Sequence, residues 1–287
     1  MAANPRPRRR LVGVSTKMYF SAARTASFVA STLNLLSFPE PRSQPQTQSR
    51  SPPADPNGKS EALSDVDIFI IPDHLTLASV VAQIRAVPTT VLASRILVGA
   101  QNCADRDAGP LTGEVSPAVL AELGCAVVEL GHAERRALFG ETDDKVAKKA
   151  EAVMRNGMVP LVCIGEASPP SQNGGDVKAA ADEVLEQVRA VLKVVSEGKE
   201  VILAYEPVWA IGAAEPADGK YVCEVVRRVR ESEEVRGREG SVRIVYGGSA
   251  GPGLFKRLKG EVDGLFLGRF AHDPGQFVKT VWEVAEA

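Results

Sequence analysis

Eight short apolar runs recur along the chain, and most are followed by a longer segment with apolar positions at helical spacing. The runs are Leu11–Ser15, Val66–Ile71, Ile96–Ala100, Ala126–Leu130, Val159–Ile164, Val201–Tyr205, Val242–Tyr246 and Asp263–Leu267. Each has five or six residues with little polar alternation, which predicts strands buried on both faces. Helix-like segments between them include Ala22–Leu36, Asp143–Arg155, Val177–Val195, Tyr221–Arg236 and Gly275–Glu286. Strand and helix in succession imply parallel strands with right-handed crossovers. Eight such units fit an α/β architecture, a single (β/α)8 barrel domain over residues 1–287 with no exposed sheet edge. The alternative, an open doubly wound sheet, calls for a Gly-x-Gly-x-x-Gly turn after an early strand. The sequence has none.

One stretch breaks the rhythm. Pro39–Glu61 carries six prolines and no large apolar residue, so it cannot offset the entropy of ordering. It is expected to be a flexible surface insertion after the first helix; a partner-binding or regulatory tail is the alternative.

Composition narrows the functional classes. Of 287 residues, 44% are hydrophobic and 24% charged, with a net charge of −2. That balance gives no footprint for nucleic acid or a membrane surface. The basic cluster Arg6, Arg8, Arg9 and Arg10 reads as a solvated terminus. No apolar run approaches the roughly 18 residues of a membrane span, and no signal-like segment follows the first residue. The four cysteines, Cys103, Cys125, Cys163 and Cys223, are scattered with no Cys-x-x-Cys pair. Reduced thiols in a cytoplasmic protein are therefore expected.

A parallel barrel builds its site at the carboxyl ends of its strands, so the strand ends are where chemistry is sought. The first offers Lys17 in "STKMY", the fourth His132 in "ELGHAERR", and the sixth Glu206 in "AYEPVWAIG". The seventh ends in "YGGS" and the eighth in "LGR". Alone, such a histidine is usually structural, the lysine a surface charge and the glutamate a salt-bridge partner. Their placement on one rim reverses that. A carboxylate in an apolar mouth is a stronger base than in water. A histidine at a helix N-terminus is favoured as neutral imidazole, and a nearby lysine stabilises a developing enediolate. Glycine-rich turns after the last two strands expose backbone N–H groups that suit a phosphate dianion.

The segments "LGHAERRALFGET", "VPLVCIGE", "AYEPVWAIG" and "RIVYGGS", with "GAQNC" and "LTGEVSP", closely resemble the signature segments of triosephosphate isomerases. The resemblance implies a TIM barrel, an intramolecular aldose–ketose isomerase with no cofactor or metal, and a likeness to cytoplasmic homodimers. It implies Glu206 as base, His132 as electrophile, Lys17 as cationic stabiliser and Glu134 as its partner. Gly212, Ser249, Gly268 and Arg269 stand at the phosphate contacts, and Ser15 at a substrate contact. Pro207–Ala217 matches a mobile lid, and Gln101, Asn102, Thr112 and Glu114 match a loop that builds the dimer interface.

The sequence departs from the family around this pocket. Ser15 replaces the usual asparagine, Ala133 the serine after the histidine, and Arg269 a glycine, while the lid reads Gly212-Ala213-Ala214-Glu215-Pro216. The leading expectation is a triosephosphate isomerase acting on dihydroxyacetone phosphate and glyceraldehyde 3-phosphate. The alternative is a paralogue acting on a tetrulose phosphate such as erythrulose phosphate, where Ser15 opens room. A non-catalytic barrel scaffold is a third reading, which the set Lys17, His132 and Glu206 disfavours.

Overall fold

Every one of the eight apolar runs becomes a strand, and neighbours pair in parallel until the sheet closes on itself in the order β1 to β8. The computed structural model describes residues 9–37, 63–87, 95–170, 176–213, 215–238 and 242–287; the insertion expected at Pro39–Glu61 lies outside them. The strands are β1 (Arg10–Ser15), β2 (Val66–Ile71), β3 (Ile96–Ala100), β4 (Val127–Leu130), β5 (Val159–Ile164), β6 (Val201–Tyr205), β7 (Val242–Gly248) and β8 (Gly264–Leu267). Around them, among the described residues, lie α1 (Ala22–Ser37), α2 (Leu77–Arg85), α3 (Pro117–Leu123), α4 (Ala133–Phe139) and α5 (Asp143–Arg155). The ring continues with α6 (Val177–Leu192), α7 (Gly219–Glu231), α8 (Glu233–Arg236), α9 (Phe255–Leu258) and α10 (Pro274–Ala285). No helix among the described residues is long and apolar enough to cross a membrane.

The helix expected over Tyr221–Arg236 is two helices. Ser232 takes an extended conformation (ψ 150°), ending α7 and opening α8, and its hydroxyl donates back to the Val229 carbonyl at 2.8 Å. Serine competes for backbone partners in this way, which a pattern of apolar spacing does not register.

Strand alternation sorts side chains into two cores. Val128 and Leu130 of β4 join the cluster packed against the helices. Leu11, Phe69, Val127, Leu161, Ile202, Val245 and Phe266 fill the barrel interior. Phe69 reaches so far inward that a Cβ on Gly13 would lie 2.0 Å from its ring, so any side chain there would have to displace the buried ring. At the amino-terminal end the interior is closed by charge. Arg243 Nη1 meets Asp67 Oδ2 at 2.8 Å, and Arg9 Nε meets Asp67 Oδ1 at 3.0 Å. Arg243 also pairs with Glu200. Buried charges of this kind persist only when paired. The carboxyl-terminal end is left for the site.

Candidate active site

Glu206 follows β6 directly, and its backbone N–H donates to the Ile164 carbonyl at 2.9 Å. Glycines make room for it on both sides. A Cβ on Gly165 would stand 1.9 Å from the Glu206 carbonyl oxygen. Gly248, at φ +104°, would put a Cβ 3.1 Å from Glu206 Oε1. The "YGGS" turn thus houses the carboxylate as well as offering backbone N–H groups. Burial pushes the Glu206 carboxyl up to about 7, with the Lys17 charge opposing.

His132 caps the amino terminus of α4. Its Nδ1 accepts the Glu134 backbone N–H at 3.1 Å, so Nδ1 carries no proton and the neutral ring bears its hydrogen on Nε2. Burial and then the Lys17 charge push His132 down to about 4, outweighing Glu134. Nε2 faces Glu206 Oε2 across 3.9 Å. With imidazole neutral this is a gap between a hydrogen-bond donor and a carboxyl oxygen, not an ion pair.

Lys17 is the one non-glycine at positive φ (47°) among the described residues, a conformation that costs free energy and marks functional sites. Its Nζ donates to Glu134 Oε1 at 2.7 Å. Burial acts to lower the Lys17 pKa, but Glu134, with Glu206 and Glu129, carries it above its ordinary value. Gln101 Nε2 donates to the Lys17 carbonyl at 2.8 Å and holds the strained residue in place. Asn102 Oδ1 accepts from Lys149 Nζ at 2.9 Å. Two of the four residues expected at a dimer interface are therefore tied into their own chain, while Thr112 and Glu114 are exposed.

These side chains open onto a cleft of about 920 Å³, within the range of small-ligand sites. It is lined by Ser15, Lys17, Glu134 and Glu206 together with Gly212, Ser249, Gly268 and Arg269. His132 stands beside Glu206, which lines the cleft. Arg269 is exposed with no carboxylate partner among the described residues.

The segment Pro207–Ala217, expected to be a lid, is fastened at both ends. Trp209 Nε1 donates to Glu166 Oε1 at 2.8 Å, as does the Tyr221 hydroxyl, and the Tyr205 hydroxyl donates to Oε2 at 3.1 Å. Further along, the Ser249 hydroxyl donates to the Ala213 carbonyl at 2.7 Å and the Ala217 N–H to the Tyr246 hydroxyl at 3.2 Å. Sequence reasoning missed Glu166, Tyr246 and His272, whose Nε2 contacts the Ser15 carbonyl at 3.1 Å. It also missed Glu129. Period-two alternation puts Glu129 on the inward face with Val127, a legible signal in "AVVELGH".

Comparison with known proteins fits this geometry. The family model described as triosephosphate isomerase matches residues 47–284. The chain belongs to the triosephosphate isomerase family. It is 38% identical to an L-erythrulose-1-phosphate isomerase of Pectobacterium atrosepticum over 279 residues, 94% of this chain and 93% of that protein. It is 43% identical to a protein of the same name from Rhizobium etli over 214 residues, 72% of this chain and 75% of that protein. A Listeria innocua protein named triosephosphate isomerase 2 is 32% identical over 280 residues, 96% of each chain. The family and the barrel expected from the sequence are thereby established, and with them an isomerase.

Proposed function

We propose that the substrate is a tetrulose phosphate, L-erythrulose 1-phosphate, and that the carbonyl moves from C2 to C3 through an enediolate. The sequence led with triose phosphate. The observation that carries the four-carbon reading instead is the likeness to L-erythrulose-1-phosphate isomerases at 38% and 43% identity, joined to a small Ser15 at the buried end of the cleft.

Erythrulose 1-phosphate is dihydroxyacetone phosphate with a hydroxymethyl group in place of one C3 hydrogen. Its phosphate sits with the backbone of Gly212, Ser249 and Gly268, and Arg269 adds a guanidinium. Glu206 takes the C3 proton, and that C–H pair becomes the C2=C3 bond of the enediolate. The negative charge on O2 meets Lys17 and the Nε2–H of His132. His132 passes a proton to O2 and recovers one from O3. Glu206 then returns its proton to C2, leaving the carbonyl at C3. Because C3 carries carbon on both sides, the product is a ketone, the tetrulose 4-phosphate, where a triose phosphate would give an aldehyde. The lid latched by Tyr246 and Ser249 keeps water from the enediolate. A homodimer fits the exposed Met18, Leu75, Leu138 and Phe139 on the segments after β1, β2 and β4.

The test is to follow L-erythrulose 1-phosphate with the purified protein by carbon NMR. A second ketone signal, with the phosphate-bearing carbon now next to a CHOH, is expected. An aldehyde product, or none, would refute the single shift.

A further inference from the structure

Glu129 is an acid that the proton transfer does not use, placed inside the barrel. It is 3% exposed, and on β4 it shares the inward face with Val127 of the interior core. β4 lies across the closed barrel from β8, so Glu129 stands on the barrel wall opposite the strand that leads to Gly268 and Arg269, beneath a cleft that Ser15 lines. Its charged neighbours are Lys17, Glu206 and Glu134, and Cys163 lies within their field. The Lys17 ammonium is already bonded to Glu134 at 2.7 Å. The Ser15 hydroxyl lies beside the Glu129 carboxyl, close enough to favour its charged form, yet Ser15 Oγ completes no hydrogen bond. At the deep end of the cleft the Ser15 hydroxyl thus stands with its hydrogen-bonding capacity unmet, beside the Glu129 carboxyl. A buried polar group in that state costs stability, unless a ligand completes it.

We propose that Glu129, with Ser15, selects the length of the carbon chain by hydrogen-bonding the terminal hydroxymethyl group that a four-carbon ketose phosphate has and a triose phosphate lacks. The proposal rests on the tetrulose reading for the substrate but names a residue the isomerisation itself does not require. With the phosphate held at β7 and β8 and the reacting carbons between Glu206 and His132, the fourth carbon extends toward β4. A longer side chain at position 15 would occupy that space. Burial pushes the Glu129 carboxyl up to about 7, so near neutral pH it serves as donor as well as acceptor.

Calorimetry with two non-reacting polyol phosphates separates this from the turnover question. The ligands are erythritol 1-phosphate and glycerol 3-phosphate, titrated into wild type, Glu129→Gln and Glu129→Leu with melting temperatures in parallel. Wild type is expected to bind the four-carbon ligand more tightly by about 10–100-fold, the scale of a hydrogen bond to a charged group. Glu129→Gln should lower that ratio partway and Glu129→Leu bring it to about one. The near-isosteric Gln variant keeps the test readable should the Leu variant fail to fold. A ratio unchanged in either variant overturns the proposal, as does equal weakening of both ligands or the absence of a preference in wild type. If the ratio depends on Glu129 but erythrulose phosphate is not turned over, the functional reading fails and the assignment of Glu129 stands. If erythrulose phosphate is turned over but the ratio ignores Glu129, the reverse holds.

Discussion

Nε2 of His132 faces Oε2 of Glu206 across 3.9 Å, and the two groups are pushed in opposite senses by the same burial. Glu206 rises to about 7, while His132 falls to about 4. A carboxylate that is harder to keep ionised is a better base, and an imidazole that resists protonation is a neutral hydrogen-bond donor. One dry wall of the cleft tunes both.

The pH dependence follows with its sign. The Glu206 carboxyl titrates near 4.5 when unfolded and about 7 when folded, so the native state holds the proton through that window. Stability therefore falls as pH rises from about 4.5 to 7, and above 7 the full cost is about 3 kcal/mol. Glu206→Gln removes the charge and should unfold at higher denaturant concentration than wild type at pH 8. The two should coincide at pH 4.5. In wild type, kcat/KM should rise with pH around a midpoint near 7, above the substrate phosphate at about 6. A Glu206→Gln variant no more stable at pH 8 than at pH 4.5, relative to wild type, would remove the desolvated base from the account.

Gln101 and Lys17 offer a second test. Removing the amide that holds the Lys17 carbonyl at 2.8 Å frees a residue whose φ of 47° is otherwise disfavoured. Losing one hydrogen bond of about 1 kcal/mol lets the ammonium drift. Gln101→Ala is expected to fold normally and to lose about tenfold in kcat, since small misplacements are costly. Unchanged kcat would mean that Glu134 alone positions Lys17.

Much of this site was legible in the sequence, and the unread part has a common physical character. Each barrel strand is an apolar run, and Pro207 marks where β6 stops, so Glu206 could be placed from local pattern alone. Lys17, His132 and Glu206 follow from that placement. Gln101 binds the Lys17 carbonyl from 84 residues away, and Glu166 gathers Tyr205, Trp209 and Tyr221 from up to 55 residues away. Contacts across the barrel leave no periodic trace. Glu129 did leave one, an acid on the inward side of β4, but its meaning needs Ser15 of a strand on another side of the barrel.

Ser15 sits at 4% exposure with its hydroxyl unpartnered. Ser15→Asn fills space at the deep end and should shift preference toward triose phosphate by about 1–3 kcal/mol, the scale of one methylene's fit. The check is kcat/KM for both substrates in the variant and wild type. An unmoved ratio would mean that Ser15 does not set chain length.

The most direct measurement is kcat/KM of the wild-type protein for L-erythrulose 1-phosphate and dihydroxyacetone phosphate, side by side in one buffer. A pocket with room and hydrogen bonds for a fourth carbon should favour the tetrulose phosphate by at least about tenfold. Equal rates, or preference for the triose phosphate, would contradict the account.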